Sequence, residues 1–232
     1  MERVDWDGAV NARHVLGDLY RMGRSEWLTE RGWRQAYDDG IRTVIDLRNA
    51  GERTRRPTDP AVPDTARAGI TVVHAPTEEP GHAEFTALAA PYLNHPRHYP
   101  ANLRFFPDRI AGVVRALAAA EGNVVIHCSA GRDRTGLVVT LLLLLAGRRD
   151  LVEPQYDAGA RGINDWHRVS PVRHPHERHL AEAEFEPLQR ERVRALADFA
   201  DGLAVEEFLL GQGCTTAELA AVRRLLASPP ER

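Results

Sequence analysis

Cys128 and Arg134 stand six positions apart in the segment His127-Cys128-Ser129-Ala130-Gly131-Arg132-Asp133-Arg134-Thr135-Gly136. A β-branched run, Val124 to His127, leads into it, and an apolar run, Leu137 to Ala146, leads out. A loop that joins a strand end to a helix start turns backbone N–H groups inward. The helix dipole adds positive potential there, so the segment is a ready anion site. Ser129, Ala130 and Gly131 are small enough for the backbone to approach a phosphate closely. Arg132 and Asp133 continue the loop, and Arg134 can fold back to grip two phosphate oxygens in a bidentate fork. Ser129, Ala130, Gly131, Arg132, Asp133 and Arg134 are therefore the expected phosphate-binding residues. Cys128 would lie beneath the phosphorus. The same N–H groups and Arg134 favour its thiolate, which is a nucleophile. Attack would give a phosphocysteine, which water would release. The charge of that transition state spreads over oxygens that the loop already faces. This chemistry calls for no metal and no cofactor.

Departure of the leaving group needs a proton donor. Asp133 is the nearest candidate, inside the loop. Asp46, at the end of an earlier strand, is the second, because the C-terminal ends of strands gather at the site in open α/β folds. Asp108 is a third. The Thr135 hydroxyl is placed to hydrogen-bond the sulfur, and His127 is expected to brace the loop rather than move a proton.

The elements that must hold this loop follow from pattern. A helix is expected from about Thr29, with Trp33, Ala36 and Tyr37, ended by Gly40. A buried strand follows at Thr43 to Leu47, and helix, glycine, strand is the rhythm of an α/β fold. Gly51 to Gly69 is rich in Pro, Arg, Thr and Asp and reads as a loop. Ile70 to His74 is a second strand. Thr77 to Pro100 carries several prolines and histidines and leaves its short helices unplaced. Pro107 to Ala120 is a helix, with Ile110, Val113, Val114 and Leu117 on one stripe. Val124 to His127 is the third strand and Gly136 to Ala146 a buried helix. Asp157 to His179 is polar without a clear period, and residues 157–180 read as a lid or insert. Residues 182–227 are helical, the last helix starting near Thr215 with Thr215 and Glu218 at capping-box spacing. The expected fold class is α/β, with a central, mainly parallel sheet flanked by helices, and 1–232 reads as one domain.

Composition narrows the partners. The chain has 232 residues, 43% hydrophobic and 27% charged, with a net charge of -3. Nothing global points to nucleic acid or to an anionic membrane. The apolar run Leu137 to Ala146 is too short to span a bilayer, so no integral membrane segment is expected. Residues 1–10 carry three acids and do not read as a signal peptide. A cytoplasmic location is expected, with secretion by a route without a signal peptide left open. Cys128 and Cys214 are the two cysteines, and the surroundings of Cys128 favour a free thiol in a reducing compartment. All 30 basic side chains are arginine, so a cationic contact to phosphate here is arginine or histidine.

The loop resembles that of the protein tyrosine phosphatase superfamily, whose signature is HC-x5-R-[ST]. It is most similar to a bacterial group with the loop HCxAGKDRTG, and it also looks like the myotubularin lipid phosphatase loop, which has an aspartate where Asp133 stands. The likeness extends to Asn11, Arg13, Arg24-Ser25, Leu28-Thr29 and Gly32, to Gly40 through Arg48 with Glu52, and to Thr215 through Leu226. It implies a cysteine-phosphatase-like fold and a protein-tyrosine phosphatase of broad specificity. The substrate would be a phosphotyrosine protein or, alternatively, a phosphoinositide. The resemblance makes Asp46 a catalytic or loop-bracing acid and leaves it open against Asp133. The group's loop lysine is Arg132 here, and its aromatic and acidic residues near the early Asn are Ala12 and His14.

Other readings fit less well. A sulfurtransferase loop commonly has fewer residues before its closing arginine. A non-catalytic phospho-ligand module usually loses the cysteine or the arginine, and both are present. His167, His174, His176 and His179 lack a surrounding ligand set of zinc spacing, so no metal site is expected. Their alternative role is in a lid that contacts acidic substrates.

Overall fold

The computed structural model describes residues 2–90, 94–172 and 177–227. Five strands form one sheet in the order β1-β2-β5-β3-β4. They are β1 (Arg13–Leu16), β2 (Leu19–Met22), β3 (Ile41–Asp46), β4 (Thr71–His74) and β5 (Asn123–His127). The last four run parallel, and β1 pairs antiparallel with β2. The sheet is thus mixed and mostly parallel, as expected of the α/β class. The β1–β2 hairpin was not foreseen, because its residues mix Arg, His and Tyr with Leu and Met and show no clean alternation.

Register explains where the site forms. Asp46 of β3 lies opposite His127 of β5 and His74 of β4, and Met22 of β2 also lies opposite His127. Four parallel strands therefore end in one row, and the central one continues as Cys128. Strands buried on both faces carry apolar residues at successive positions. In β5, Val124 and Ile126 enter the larger core and Val125 the smaller one on the opposite face.

The smaller core holds α1 (Glu30–Asp38), which buries Trp33 and Ala36. Thr29 caps it by accepting from Gly32 N at 3.1 Å, and Gly40 follows with φ at 82°. On the other face stand α4 (Pro107–Ala118), α5 (Asp133–Leu145), α6 (Val152–Val169) and α7 (Glu182–Asp201). α8 (Val205–Gly211) and α9 (Thr216–Ala227) complete that side, with the Thr215–Glu218 capping box formed. α5 is buried almost all round, as its unbroken Leu and Val run requires. It starts at Asp133, three residues before the expected Gly136. The uneven stretch 77–100 resolves into α2 (Ala83–Ala89), a 3-10 turn at Pro96–His98 and the start of α3 (Tyr99–Phe105). Among the described residues no helix is long and apolar enough to cross a membrane.

The stretch 157–180 departs most from expectation. Residues 157–169 are not an irregular lid but most of α6. Its buried stripe is Val152, Gln155, Tyr156, Gly159, Ala160 and Ile163. That is proper helical spacing, but Gln155, Gly159 and Ala160 interrupt Val152, Tyr156 and Ile163, so hydrophobicity alone hides it. The glycines let the helix approach the amino-terminal segment: a Cβ at Gly159 would lie 2.7 Å from an Arg21 nitrogen, and one at Gly162 would overlap the Asn11 side chain. After α6, residues 177–180 return along the helix. Leu180 N donates to Asn164 Oδ1 at 2.8 Å, and Asn164 Nδ2 donates to Leu180 O at 2.9 Å.

Candidate active site

The loop from Cys128 to Arg132 joins the end of β5 to the start of α5. Its carbonyls all find donors in the surrounding structure. His127 Nδ1 lies 3.1 Å from Cys128 O, which places the proton on that nitrogen. Arg24 N donates to Ser129 O at 3.0 Å. Asn11 Nδ2 donates to Ala130 O at 3.1 Å and to Gly159 O at 3.0 Å. Arg21 Nη2 donates to Gly131 O at 2.6 Å, and Tyr99 OH to Asp133 O at 3.0 Å. A peptide unit whose carbonyl is tied outward presents its N–H inward, and successive N–H groups of this kind make an anion-binding nest. Two residues accept left-handed backbone to achieve this, Gly131 at φ 68° and Asn11 at φ 61°. Any Cβ at Gly131 would collide with the Met22 carbonyl.

Cys128 opens this nest and is 3% exposed. Both cysteines are free thiols. Arg134, in the first turn of α5, is held by Glu52. Its Nη1 and Nη2 each donate to a separate Glu52 oxygen at 2.6 Å. Glu52 also accepts from Asn49 N at 3.0 Å and from Ser129 Oγ at 3.2 Å. Burial pushes the Glu52 carboxyl up, but the Arg134 hydrogen bonds and charge outweigh it and hold the group below its ordinary range. Nη2 also lies 3.4 Å from Ser129 Oγ, so the fork leaves Arg134 Nε and the second Nη1 hydrogen for an anion.

The three candidate acids lie in different settings. Asp133 is the first residue of α5, and its carboxylate meets Arg132 Nε at 3.0 Å with 15% of the side chain exposed. Asp46 is locked in. Arg48 donates to it from Nε at 2.9 Å, from Nη2 at 2.8 Å and from its backbone N at 3.0 Å. Burial raises the Asp46 carboxyl, yet the Arg48 bonds and the nearby His127 bring it below the usual range. Asp46 is therefore suited to bracing β3 against the loop rather than to giving up a proton. Asp108 is exposed in the first turn of α4, on an element that does not adjoin the loop in sequence; none of the three acids lines the cleft described below.

Other expected residues also have definite partners. Arg132 is buried, and its guanidinium reaches Glu177 at 2.9 Å as well as Asp133. Thr135 is fully buried, and its hydroxyl makes no hydrogen bond among the described residues, to the sulfur or elsewhere. His127 is fully buried. Burial pulls its pKa below the ordinary value despite Asp46 nearby, so the ring is neutral and works as a brace.

A cleft of about 630 Å³ opens over Ser129 and Ala130. Its walls carry Val10, Trp27, Ile163 and Trp166, with Arg24, Arg56 and Glu177 at their polar parts. The rings of Trp27 and Trp166 meet at 5.4 Å between centroids. Of the histidines expected in a lid, His167 lines the cleft and meets Glu177 at 3.1 Å, and His179 meets Asn164 O at 3.0 Å. His174 and His176 lie outside the described residues.

The match of the chain to the tyrosine phosphatase family runs over residues 7–228. The chain belongs to this family. Membership supports a cysteine-based phosphatase, and this tyrosine phosphatase family chain carries the loop at the centre of its sheet. No curated protein matches it. The crystal structure of TpbA from P. aeruginosa is similar at 16% identity and a TM-score of 0.44, covering 90% of this chain and 98% of that one.

Sequence reasoning named Asn11, Arg24 and Glu52 only as parts of a pattern and gave them no role. It missed Arg21, Tyr99, Trp27, Trp166 and Glu177. The signal for Glu52 was its place four residues after Arg48, but its partner is 82 positions away.

Proposed function

We propose that this family member hydrolyses phosphate monoesters through a phosphocysteine intermediate, with phosphotyrosyl protein as the leading substrate. The observation that carries the reading is the nest itself. Its carbonyls are tied to surrounding donors, buried Cys128 is its first residue, and Arg134 is held by Glu52. The Cys128 thiolate attacks phosphorus, forming the S–P bond while the P–O bond to the leaving group breaks. Asp133 gives its proton to the departing oxygen. Water then attacks phosphorus, Asp133 takes the proton back, the S–P bond breaks and inorganic phosphate leaves with the thiolate restored. The inward N–H groups and Arg134 meet charge developing on the equatorial oxygens. Among the three acids, Asp133 is the one both beside the loop and partly exposed.

The cleft supports an aryl phosphate over a phosphoinositide. Its walls next to the loop are largely apolar, with the tryptophan pair among them. An inositol headgroup with several phosphates calls for uncommitted cations. Arg132 is shared between Asp133 and Glu177, and Arg24 between Glu26 and Asp59. That leaves exposed Arg56 as the one cleft arginine whose side chain has no carboxylate partner among the described residues, too few for several phosphates. The test is kcat/KM on a phosphotyrosyl peptide against a soluble phosphatidylinositol phosphate. The peptide is expected to lead by about tenfold or more, since one unmatched buried polar contact is worth that much. A lead for the lipid would overturn the substrate reading and leave the hydrolase reading standing.

A further inference from the structure

Four buried arginines surround the loop: Arg21, Arg24, Arg48 and Arg132. Three are neutralised at close range, Arg24 by Asp59 at 2.7 Å, Arg48 by Asp46 at 2.8 Å and Arg132 by Glu177 at 2.9 Å. Arg21 is different. It is 0% exposed in the middle of β2, and its hydrogen bonds go to two carbonyls, Gly131 O at 2.6 Å and Gln155 O at 3.1 Å. Its Nε has no partner among the described residues. A guanidinium stays protonated in a protein, so this is a buried positive charge with no carboxylate in ion-pair contact among the described residues. Such a charge is strongly disfavoured unless something compensates it.

The groups around Arg21 show what does. They are Tyr99 of α3, Cys128 of the loop, Asp133 of α5 and Tyr156 of α6. Arg13 stands opposite Arg21 across the β1–β2 pair and adds a second positive charge. Burial draws the guanidinium's pKa down. It also pushes the Tyr99 and Tyr156 phenols above their ordinary range, so these stay neutral, and Cys128 and Asp133 are the acids that can carry a counter-charge. Gly159 of α6 makes the room, since a Cβ there would stand 2.7 Å from Nη2. We propose that Arg21 is a positioning residue with a second, electrostatic role. It turns the Gly131 carbonyl away from the nest, and its unneutralised charge stabilises the anion that the nest holds. Thiolate and bound phosphate are the counter-charges that the fold leaves to the site. This rests on the loop being a phosphate site.

The test uses the full chain with Cys128→Ser, so that phosphate binds without turnover, and measures inorganic phosphate affinity by calorimetry. Arg21→Gln keeps a donor but removes the charge. It is expected to weaken phosphate binding by about tenfold or more, the worth of a charge-assisted contact. Arg21→Lys, which restores the charge but not the fork, is expected to recover most of that loss. Equal weakening in both variants would reduce Arg21 to a brace and overturn the proposal, as would unchanged affinity in Arg21→Gln. If Arg21→Gln does not fold, Gly159→Ala decides. The added methyl must push aside the buried Arg21 guanidinium. Melting is therefore expected to fall modestly, partly offset by alanine's better helix propensity, while the displaced guanidinium weakens phosphate binding several-fold. Unchanged affinity there would overturn the proposal. A Cys128→Ser parent that binds no phosphate at all would sink the loop reading itself, and this inference with it.

Discussion

Asp133 and Asp46 have the same side chain and opposite prospects, because of what holds them. Asp46 accepts three bonds from Arg48 and is 3% exposed, whereas Asp133 has Arg132 and an open edge. The account assigns proton donation to Asp133. Asp133→Asn is then expected to slow phenyl phosphate by about 10²-fold, the usual worth of a general acid, and to leave dinitrophenyl phosphate nearly unchanged. The second leaving group departs without help. Equal losses on both esters, compared by single-turnover rates, would move the acid role elsewhere. At this scale the sequence shows Cys128 and Arg134 plainly, since their spacing lies within one short loop. It does not show Glu52, Arg21 or Glu177 as partners of the loop. Each acts across 45 to 110 positions of chain, and only folding brings them together.

At the scale of elements, β3, the turn after it and the Ser25–Trp27 turn joined to them through Arg48 form a rack of charges beside the loop. Asp46, Glu52 and Glu26 all sit below their ordinary carboxyl range, each because burial is outweighed by arginine bonds. His127 is also depressed, by burial. The sign is the same for all four. Each folded-state pKa lies below its unfolded value, so the unfolded chain takes the proton first. The stabilisation is complete above the unfolded value and is lost as the pH falls through the folded one. Stability measured by urea unfolding is therefore expected to decline from about pH 6.5 downward, as His127 charges in the unfolded chain, and to fall more steeply below about pH 4. A flat profile between neutrality and about pH 5 would contradict the neutral, buried His127. The strands of this rack were legible as short β-branched runs, and α4 and α9 from stripe and cap. α6 was not. Half of its stripe is Gln155, Gly159 and Ala160, and Gly159 and Gly162 give close approach to Arg21 and Asn11, which leaves little hydrophobic trace.

Across the whole molecule, two cores clamp one mixed sheet, and the central strand delivers the loop. The α/β class could be read from the alternation of helix, glycine and strand. The antiparallel β1 could not, because an edge hairpin rich in polar residues carries little pattern. The absence of lysine also matters at this scale. Every buried cation near the loop is a guanidinium, with planar donors that can satisfy several acceptors at once, as Arg48 and Arg134 do. The central claim is that Cys128 is the nucleophile of a phosphatase. Its most direct test is hydrolysis of p-nitrophenyl phosphate by the native chain and by Cys128→Ser, in excess chelator, across about pH 5 to 8. The account predicts turnover by the native chain and a fall of at least about 10³-fold in Cys128→Ser, as when a nucleophile is removed, with inorganic phosphate still bound. Near-native turnover by Cys128→Ser, or none by the native chain at any pH, would contradict it.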